Sequence, residues 1–180
     1  LVIPGSFTAH TPNLIALAES LGIADNVLFL GQISESDLQR LYQEATVYCY
    51  PAPEEDFGMG VIEAMAWGVP VVAWNKAGTT VTVSDGESGF LADPYKVESY
   101  AEGIMRLLLD HNLRVKMGRA ARDRVETLFS WDRHVRILEG AIWKAVGEVV
   151  EAKDIVEFPA VIHVVDVTAE PQMVEVEIES

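Results

Sequence analysis

Val47-Tyr48-Cys49-Tyr50-Pro51-Ala52-Pro53-Glu54-Glu55-Asp56-Phe57-Gly58-Met59-Gly60-Val61-Ile62-Glu63-Ala64-Met65-Ala66-Trp67-Gly68-Val69-Pro70-Val71-Val72-Ala73-Trp74 is the stretch on which the fold turns. Its two apolar runs, Val47 to Tyr50 and Val71 to Trp74, have the length and composition of buried strands. Between them a loop broken by Pro51 and Pro53 leads into a helix over Gly60 to Trp67, which carries Ile62, Ala64, Met65 and Ala66 and stops at Gly68.

The same alternation extends in both directions. Upstream, Leu1 to Ile3 predicts a strand ending at Pro4-Gly5, and Leu14, Leu17, Ala18 and Leu21 give the period of a helix over Asn13 to Leu21. Val27 to Leu30 predicts a short buried strand stopped by Gly31. Ser34 with Asp37 three residues on predicts a capped helix carrying Leu38, Leu41 and Ala45. Downstream, Val81-Thr82-Val83 is ambiguous, and an Asp85-Gly86 turn precedes a strand at Gly89 to Leu91. Helices follow over 97–109, 111–128 and 131–147, the last with Ser130 as its cap. Near-continuous apolar strands alternating with amphipathic helices predict an α/β fold, a Rossmann-like doubly wound parallel sheet closed by C-terminal helices. Ligands of such sheets sit at the carboxyl ends of the strands.

From Ile155 onward the pattern changes, with Val161, Ile162, Val164, Val165 and Val167 before a break at Pro171. Val174, Val176 and Ile178 alternate with Glu175, Glu177 and Glu179, the period of a half-buried strand. Residues 160–168 and 173–179 are therefore read as an edge hairpin or as part of a linker. Domain organisation follows: a ligand-binding domain over 1–147 and an acidic tail over 148–180, through which the protein could form oligomers.

The 180 residues carry 13 basic and 28 acidic side chains, a net charge of −15, and 49% of them are hydrophobic. That balance is globular, and its acid excess excludes nucleic acid and anionic membrane surfaces as partners. The sole cysteine, Cys49, excludes an internal disulfide. No apolar run approaches the roughly 20 residues that span a bilayer, and no basic start marks a signal peptide, so a cytoplasmic protein without a membrane span is expected. The chain opens in an apolar run without an initiator methionine, as the interior of a longer product would. Residues 1–93 hold 12 acidic and 2 basic side chains, 94–147 hold 7 and 10, and 148–180 hold 9 and 1.

Glu55 and Glu63, with seven residues between them, Phe57-Gly58 after the first and Ala64-Met65-Ala66 after the second, resemble the Glu-x7-Glu signature of the retaining glycosyltransferases of family 4. Taken singly, the two read as a solvated acidic loop and a helix-surface glutamate; the shared context favours the signature. The resemblance runs from residue 1 to about 147. It includes Asp25 to Gly31, the turn at Asp85-Gly86, Gly89 to Pro94, Met117 to Arg122 and Phe129 to Asp132. It implies the C-terminal, donor-binding half of a GT-B fold, with the acceptor-binding half and the first strand and helix of this half upstream of Leu1.

Glu55 would contact hydroxyls of the donor sugar and is the catalytic-site candidate, while Glu63 would hold the ribose diol. Backbone at Phe57, Gly58, Met59 and Gly60 would meet sugar and phosphate, and backbone at Ile33, or at its neighbour Gln32, the base. The chemistry is consistent: carboxylates accept from paired hydroxyls, and a helix N-terminus attracts a diphosphate. Glycines 58 and 60 are expected to let the backbone approach the ligand closely.

Retention in such enzymes is ascribed to a front-face route in which the leaving diphosphate helps deprotonate the acceptor, so no protein nucleophile is required. The donor is a nucleotide-diphosphate sugar and the acceptor a sugar or other small molecule. No metal and no other cofactor is expected, since no Asp-x-Asp pair occurs.

Two departures stand out. Family members often carry Gly-Gly-x-x-Glu where this chain has Ala77-Gly78-Thr79-Thr80-Val81, and their Gly-Arg pair and lysine lie upstream of the strand matching Leu1 to Ile3. Within 1–93 only Arg40 and Lys76 are cationic. Arg40 reads as a solvent-face residue, which leaves Lys76 as the phosphate candidate. One lysine is little for a diphosphate beside two carboxylates, so either the donor site is incomplete in this chain or the protein binds no diphosphate, and this chain alone is expected to be inactive. The alternatives are a sugar-nucleotide epimerase of the same fold and a non-catalytic domain that dimerises through its tail. His10, His111, His134 and His163 show no spacing for a metal or a nucleophile–base pair.

Overall fold

A computed structural model describes residues 1–146. In chain order its elements are β1 (Val2–Pro4), α1 (Thr11–Ser20), a 3₁₀ turn (Ala24–Asn26), β2 (Leu28–Gly31), α2 (Glu35–Glu44) and β3 (Tyr48–Tyr50). They continue as α3 (Met59–Ala66), β4 (Val71–Trp74), α4 (Thr79–Thr82), β5 (Gly89–Ala92), α5 (Val97–Leu109), α6 (His111–Leu128) and α7 (Trp131–Val146). The first compact unit, Leu1–Ile137, contains every strand among the described residues; a second begins at Leu138. The hairpin or linker read over 160–168 and 173–179 lies outside the described residues.

All strand pairs are parallel, as expected, in two sheets: β1 with β2, and β3–β4–β5 in that order. The wider sheet pairs Tyr48 with Val71 and Val71 with Gly89. Its strands therefore deliver the β3–α3, β4–α4 and β5–α5 connections to one edge, where ligands of such sheets bind.

The core explains why β4 reads as unbroken apolar sequence. Successive side chains of a strand face opposite ways, and here both sides are covered. Val71 and Ala73 pack with Tyr42, Val61, Ala64, Met65 and Ala121. Val72 and Trp74 pack with Phe90, Ala92, Tyr100, Leu107 and Met117. Helices α2 and α3 thus cover one face, α5 the other, and α6 reaches both.

Local signals account for the ends of the elements. Ser34 caps α2 by accepting from the Asp37 amide at 3.1 Å, and Asp110 caps α6 through the Leu113 amide at 2.9 Å. At the start of α7, Ser130 accepts through its carbonyl from the His134 amide at 3.0 Å. The ambiguous 81–83 stretch is the end of α4, a single helical turn, followed by extended backbone at Val83.

Two expectations fail. Val27 to Leu30 forms a strand that is not buried: Leu28 is 55% and Leu30 41% exposed, because β2 pairs only with β1 and no helix of the described chain covers those side chains. Trp67, which like Tyr48, Tyr50 and Trp74 falls in an element whose sequence predicts a place in the core, is not a core residue either. It lies 41% exposed at the C-cap of α3, whose buried stripe is Val61, Ala64 and Met65.

Candidate functional site

The site is built where β3 gives way to α3. Tyr50 is the last residue of β3, and the two prolines after it end the ladder, since proline has no N–H to pair. The chain runs through Ala52 to Phe57 and enters α3 at Gly58, whose backbone is left-handed with φ +84°. A side chain there would be strained and would press on Val61, so glycine is required by the turn itself.

Glu55 organises this loop. Its Oε2 accepts a 2.6 Å hydrogen bond from the Tyr50 hydroxyl, and its Oε1 accepts from the amides of Gly58 at 3.1 Å and Phe57 at 3.4 Å. The phenol, followed by the two amides, holds the Glu55 carboxyl below the usual carboxylate range. Burial and then the Glu55 carboxylate push the Tyr50 phenol up to about 12.

Glu63, one helical turn further, is exposed on α3, and its Oε2 accepts from the Tyr42 hydroxyl of α2 at 3.1 Å. Tyr42 is buried, and burial foremost pushes its phenol up, so it stays a donor. The amides of Met59 and Gly60 take no acceptor among the described residues and carry the positive end of the helix dipole.

The structure brings Glu55, Phe57, Gly58, Met59, Gly60 and Glu63 together on one connection. The expectation for Gly60 is corrected. Its missing side chain faces the Tyr48 hydroxyl, which an added Cβ would meet at 2.7 Å, so the glycine lets α3 settle on β3 and does not face open space for a ligand. The Phe57 ring stands edge-on to Phe129 at 5.7 Å. Arg124, which lies over Phe129 at 5.9 Å, donates to the carbonyls of Thr82 and Val81, each at 2.8 Å, and ties α6 to α4.

Lys76, in the β4–α4 connection, is engaged by its own chain. Its Nζ donates to Glu54 Oε1 and to the Tyr95 hydroxyl, each at 2.8 Å, and Glu54 first, then Tyr95, raises its pKa to about 12. Ile33, half-buried between β2 and α2, is joined to this cluster by no hydrogen bond. Arg40 is exposed on α2, as expected. His10, His111 and His134 are exposed and scattered over different elements.

Sequence reasoning missed Tyr42, Tyr50 and Tyr95. Tyr48 and Tyr50 were read as core residues of a strand, yet the Tyr50 position, last before the loop, is the place from which a hydroxyl reaches a loop carboxylate. Tyr42 sits on the apolar stripe of α2, where nothing in its spacing points to Glu63. Tyr95 carries no local signal at all.

Chemically, the arrangement offers two carboxylates with lone pairs left over and, between them, free amides at a helix N-terminus: acceptors for hydroxyls beside a cradle for an anion. Among the described residues no helix is long and apolar enough to cross a membrane.

Residues 1–124 match a family model described as glycosyl transferases group 1. A protein of Salinispora tropica named D-inositol 3-phosphate glycosyltransferase is 38% identical over 144 residues, which cover 80% of this chain and 30% of that protein. The chain thus spans about a third of the length of such curated relatives. Among solved structures, sucrose-phosphate synthase from Thermosynechococcus elongatus superposes with a TM-score of 0.73 at 32% identity, over 81% of this chain and 38% of that one. Anabaena HepE in complex with UDP and glucose has the same fold, with a TM-score of 0.73 at 22% identity over 79% of this chain and 40% of that one.

Proposed function

Because the chain belongs to the group 1 glycosyl transferases, we propose that it is the donor-binding domain of a retaining enzyme of family 4, which moves a sugar from a nucleotide-diphosphate donor to an acceptor. The observation that carries this is the β3–α3 connection. Glu55 and Glu63 flank an open helix N-terminus, and each is held by a tyrosine hydroxyl, Tyr50 at 2.6 Å and Tyr42 at 3.1 Å. Anabaena HepE, of the same fold, is a complex with UDP and glucose.

In this reading Glu55 receives sugar hydroxyls, Glu63 the ribose diol, the amides of Met59 and Gly60 a phosphate, and backbone at Ile33 the base. Transfer breaks the bond between the anomeric carbon and the diphosphate and forms the bond to the acceptor oxygen on the same face. The acceptor proton passes to the leaving diphosphate, so the protein supplies position and charge and no nucleophile. No resident metal takes part.

The rest of the machine comes from further polypeptide. The sheet in two pieces supports this, as do Leu14, Ile15, Leu17, Leu21, Leu28 and Leu30, all apolar and exposed on α1 and β2 or beside them. One more parallel strand and its helix would join the sheets and cover that surface, and an acceptor-binding half would face the Glu55 loop across a cleft.

Calorimetry on the full-length protein tests the donor assignment. Glu63→Ala is expected to weaken nucleotide-sugar binding about 10-fold or more, the worth of hydrogen bonds to a charged acceptor. Unchanged affinity would falsify the donor assignment.

A further inference from the structure

The loop that carries Glu55 is stitched along its length to connections distant in sequence. Trp74 Nε1 donates to the Pro51 carbonyl at 3.1 Å, and the Tyr95 hydroxyl donates to the Pro53 carbonyl at 3.1 Å. Lys76 Nζ donates at 2.8 Å both to Glu54 Oε1 and to the Tyr95 oxygen, and lies 5.1 Å from the centre of the Tyr95 ring. The Gly78 amide donates to the Glu55 carbonyl at 2.7 Å, and a Cβ on Gly78 would overlap the Asp56 carbonyl. Pro51, Pro53, Glu54 and Glu55 are thus held by Trp74 at the end of β4, by the β4–α4 connection or by Tyr95.

Backbone strain falls in the same place. Among the described residues, Ala77 (φ +53°) and Tyr95 (φ +64°) are the non-glycine residues with left-handed backbone, and they sit beside Lys76 and at its second hydrogen bond. Such conformations persist where the surroundings over-determine them. For Tyr95 those surroundings are the Pro53 carbonyl, Lys76 and the Trp74 ring, whose centre is 6.0 Å from its own.

We propose that Lys76 and Tyr95 are positioning residues for donor binding: they fix the Glu54–Glu55 loop, with Lys76 acting through Glu54 and not as a phosphate ligand. The proposal rests on the donor-site reading. Were Lys76 the phosphate ligand, Glu54 would compete with the donor for it, and removing the Glu54 charge would tighten binding. Acting through Glu54, the two residues must instead lose function together and non-additively.

The test uses the full-length protein with Lys76→Met, Lys76→Arg, Glu54→Gln, Tyr95→Phe and the Lys76→Met/Glu54→Gln pair. Calorimetry is run with UDP-, ADP- and GDP-glucose and with the matching diphosphates. Lys76→Met and Glu54→Gln are each expected to weaken nucleotide-sugar binding by about 3- to 5-fold, the upper range for an exposed ion pair. The double variant is expected to be no weaker than either single one, Lys76→Arg to recover most of the affinity, and the bare diphosphates to bind unchanged. In the ligand-free protein, the Phe57 and Gly58 amides are expected to exchange hydrogen faster in Lys76→Met and Tyr95→Phe.

Equal weakening of sugar nucleotide and bare diphosphate by Lys76→Met, with tighter or unchanged binding in Glu54→Gln, would overturn the proposal in favour of a phosphate contact. Unchanged amide exchange in both variants would overturn it independently of any ligand. If the unmodified protein binds no nucleotide sugar, the donor-site reading itself fails and the positioning role with it. That outcome is separate, because it is read without any variant.

Discussion

Gly58 and Glu55 show how little of a site resides in any one side chain. Gly58 has to be left-handed for Glu55 to reach back to the Gly58 and Phe57 amides. Gly58→Ala is therefore expected to lower stability by about 1–2 kcal/mol, the cost of that conformation with a Cβ, measured by chemical denaturation of the full-length protein; a loss below a few tenths would contradict the strained cap. Glu55 has a pH consequence. Its carboxyl is depressed in the folded protein, so its contribution is fully present above the ordinary carboxylate value of about 4.3 and is lost as pH falls through the depressed value. Protection of the Gly58 amide is expected to hold between about pH 7 and 5 and to decline only below about pH 4, with the midpoint rising toward the ordinary value in Tyr50→Phe, which lacks the leading donor. A midpoint indifferent to that substitution would show that Tyr50 does not hold Glu55.

At the scale of elements, α3 and β4 carry the weight. Met65 of α3 is fully buried against Val71, Ala73 and Ala121, so Met65→Ala is expected to cost about 2–5 kcal/mol, read as a shift in denaturation midpoint at constant slope. A loss under about 1 kcal/mol would mean that the core closes over the gap. These elements were also the most legible in sequence. The β4 run, the Ser34 cap and the apolar stripe of α3 are local signals, and the structure keeps each within a residue or two. Glu55, Phe57 to Gly60 and Glu63 were legible for the same reason, since they share one connection. What could not be read was long-range: that Glu63 meets a tyrosine from α2, that Glu54 faces Lys76 and Tyr95, and that Gly60 is shaped by Tyr48. Those pairs are set by which strands lie side by side, and no window of sequence contains them. The exposed β2 escaped for a related reason, because an apolar run reports that burial is needed without naming what supplies it.

For the whole molecule the dominant facts are charge and coverage. Residues 1–93 carry 12 acidic and 2 basic side chains, and both cations are accounted for, Arg40 on the outer face of α2 and Lys76 against Glu54 and Tyr95. A nucleoside diphosphate brought to the Glu55 loop then meets free amides, while Lys76 is already engaged and Arg40 lies on the outer face of α2. The 180-residue chain by itself is therefore expected to transfer no sugar from UDP-, ADP- or GDP-glucose, while the full-length protein does; chromatographic detection of transfer by the isolated chain would contradict it. Mass action sharpens the comparison. Donor binding should stabilise the full-length protein by an amount that grows with donor concentration, and should leave the melting temperature of the isolated chain unmoved.

The alternation along β3 has one more use. Tyr48 and Tyr50 turn toward the α3 face, whereas Cys49, the sole thiol of the chain, is half-buried against the opposite core beneath α5, where burial pushes its pKa up. A thiol reagent added to the native protein is expected to react slowly, and faster when that far side opens. Its labelling rate is thus a clock for breathing of the α5 side, while the Gly58 amide, on the adjacent connection, keeps time for the Glu55 loop.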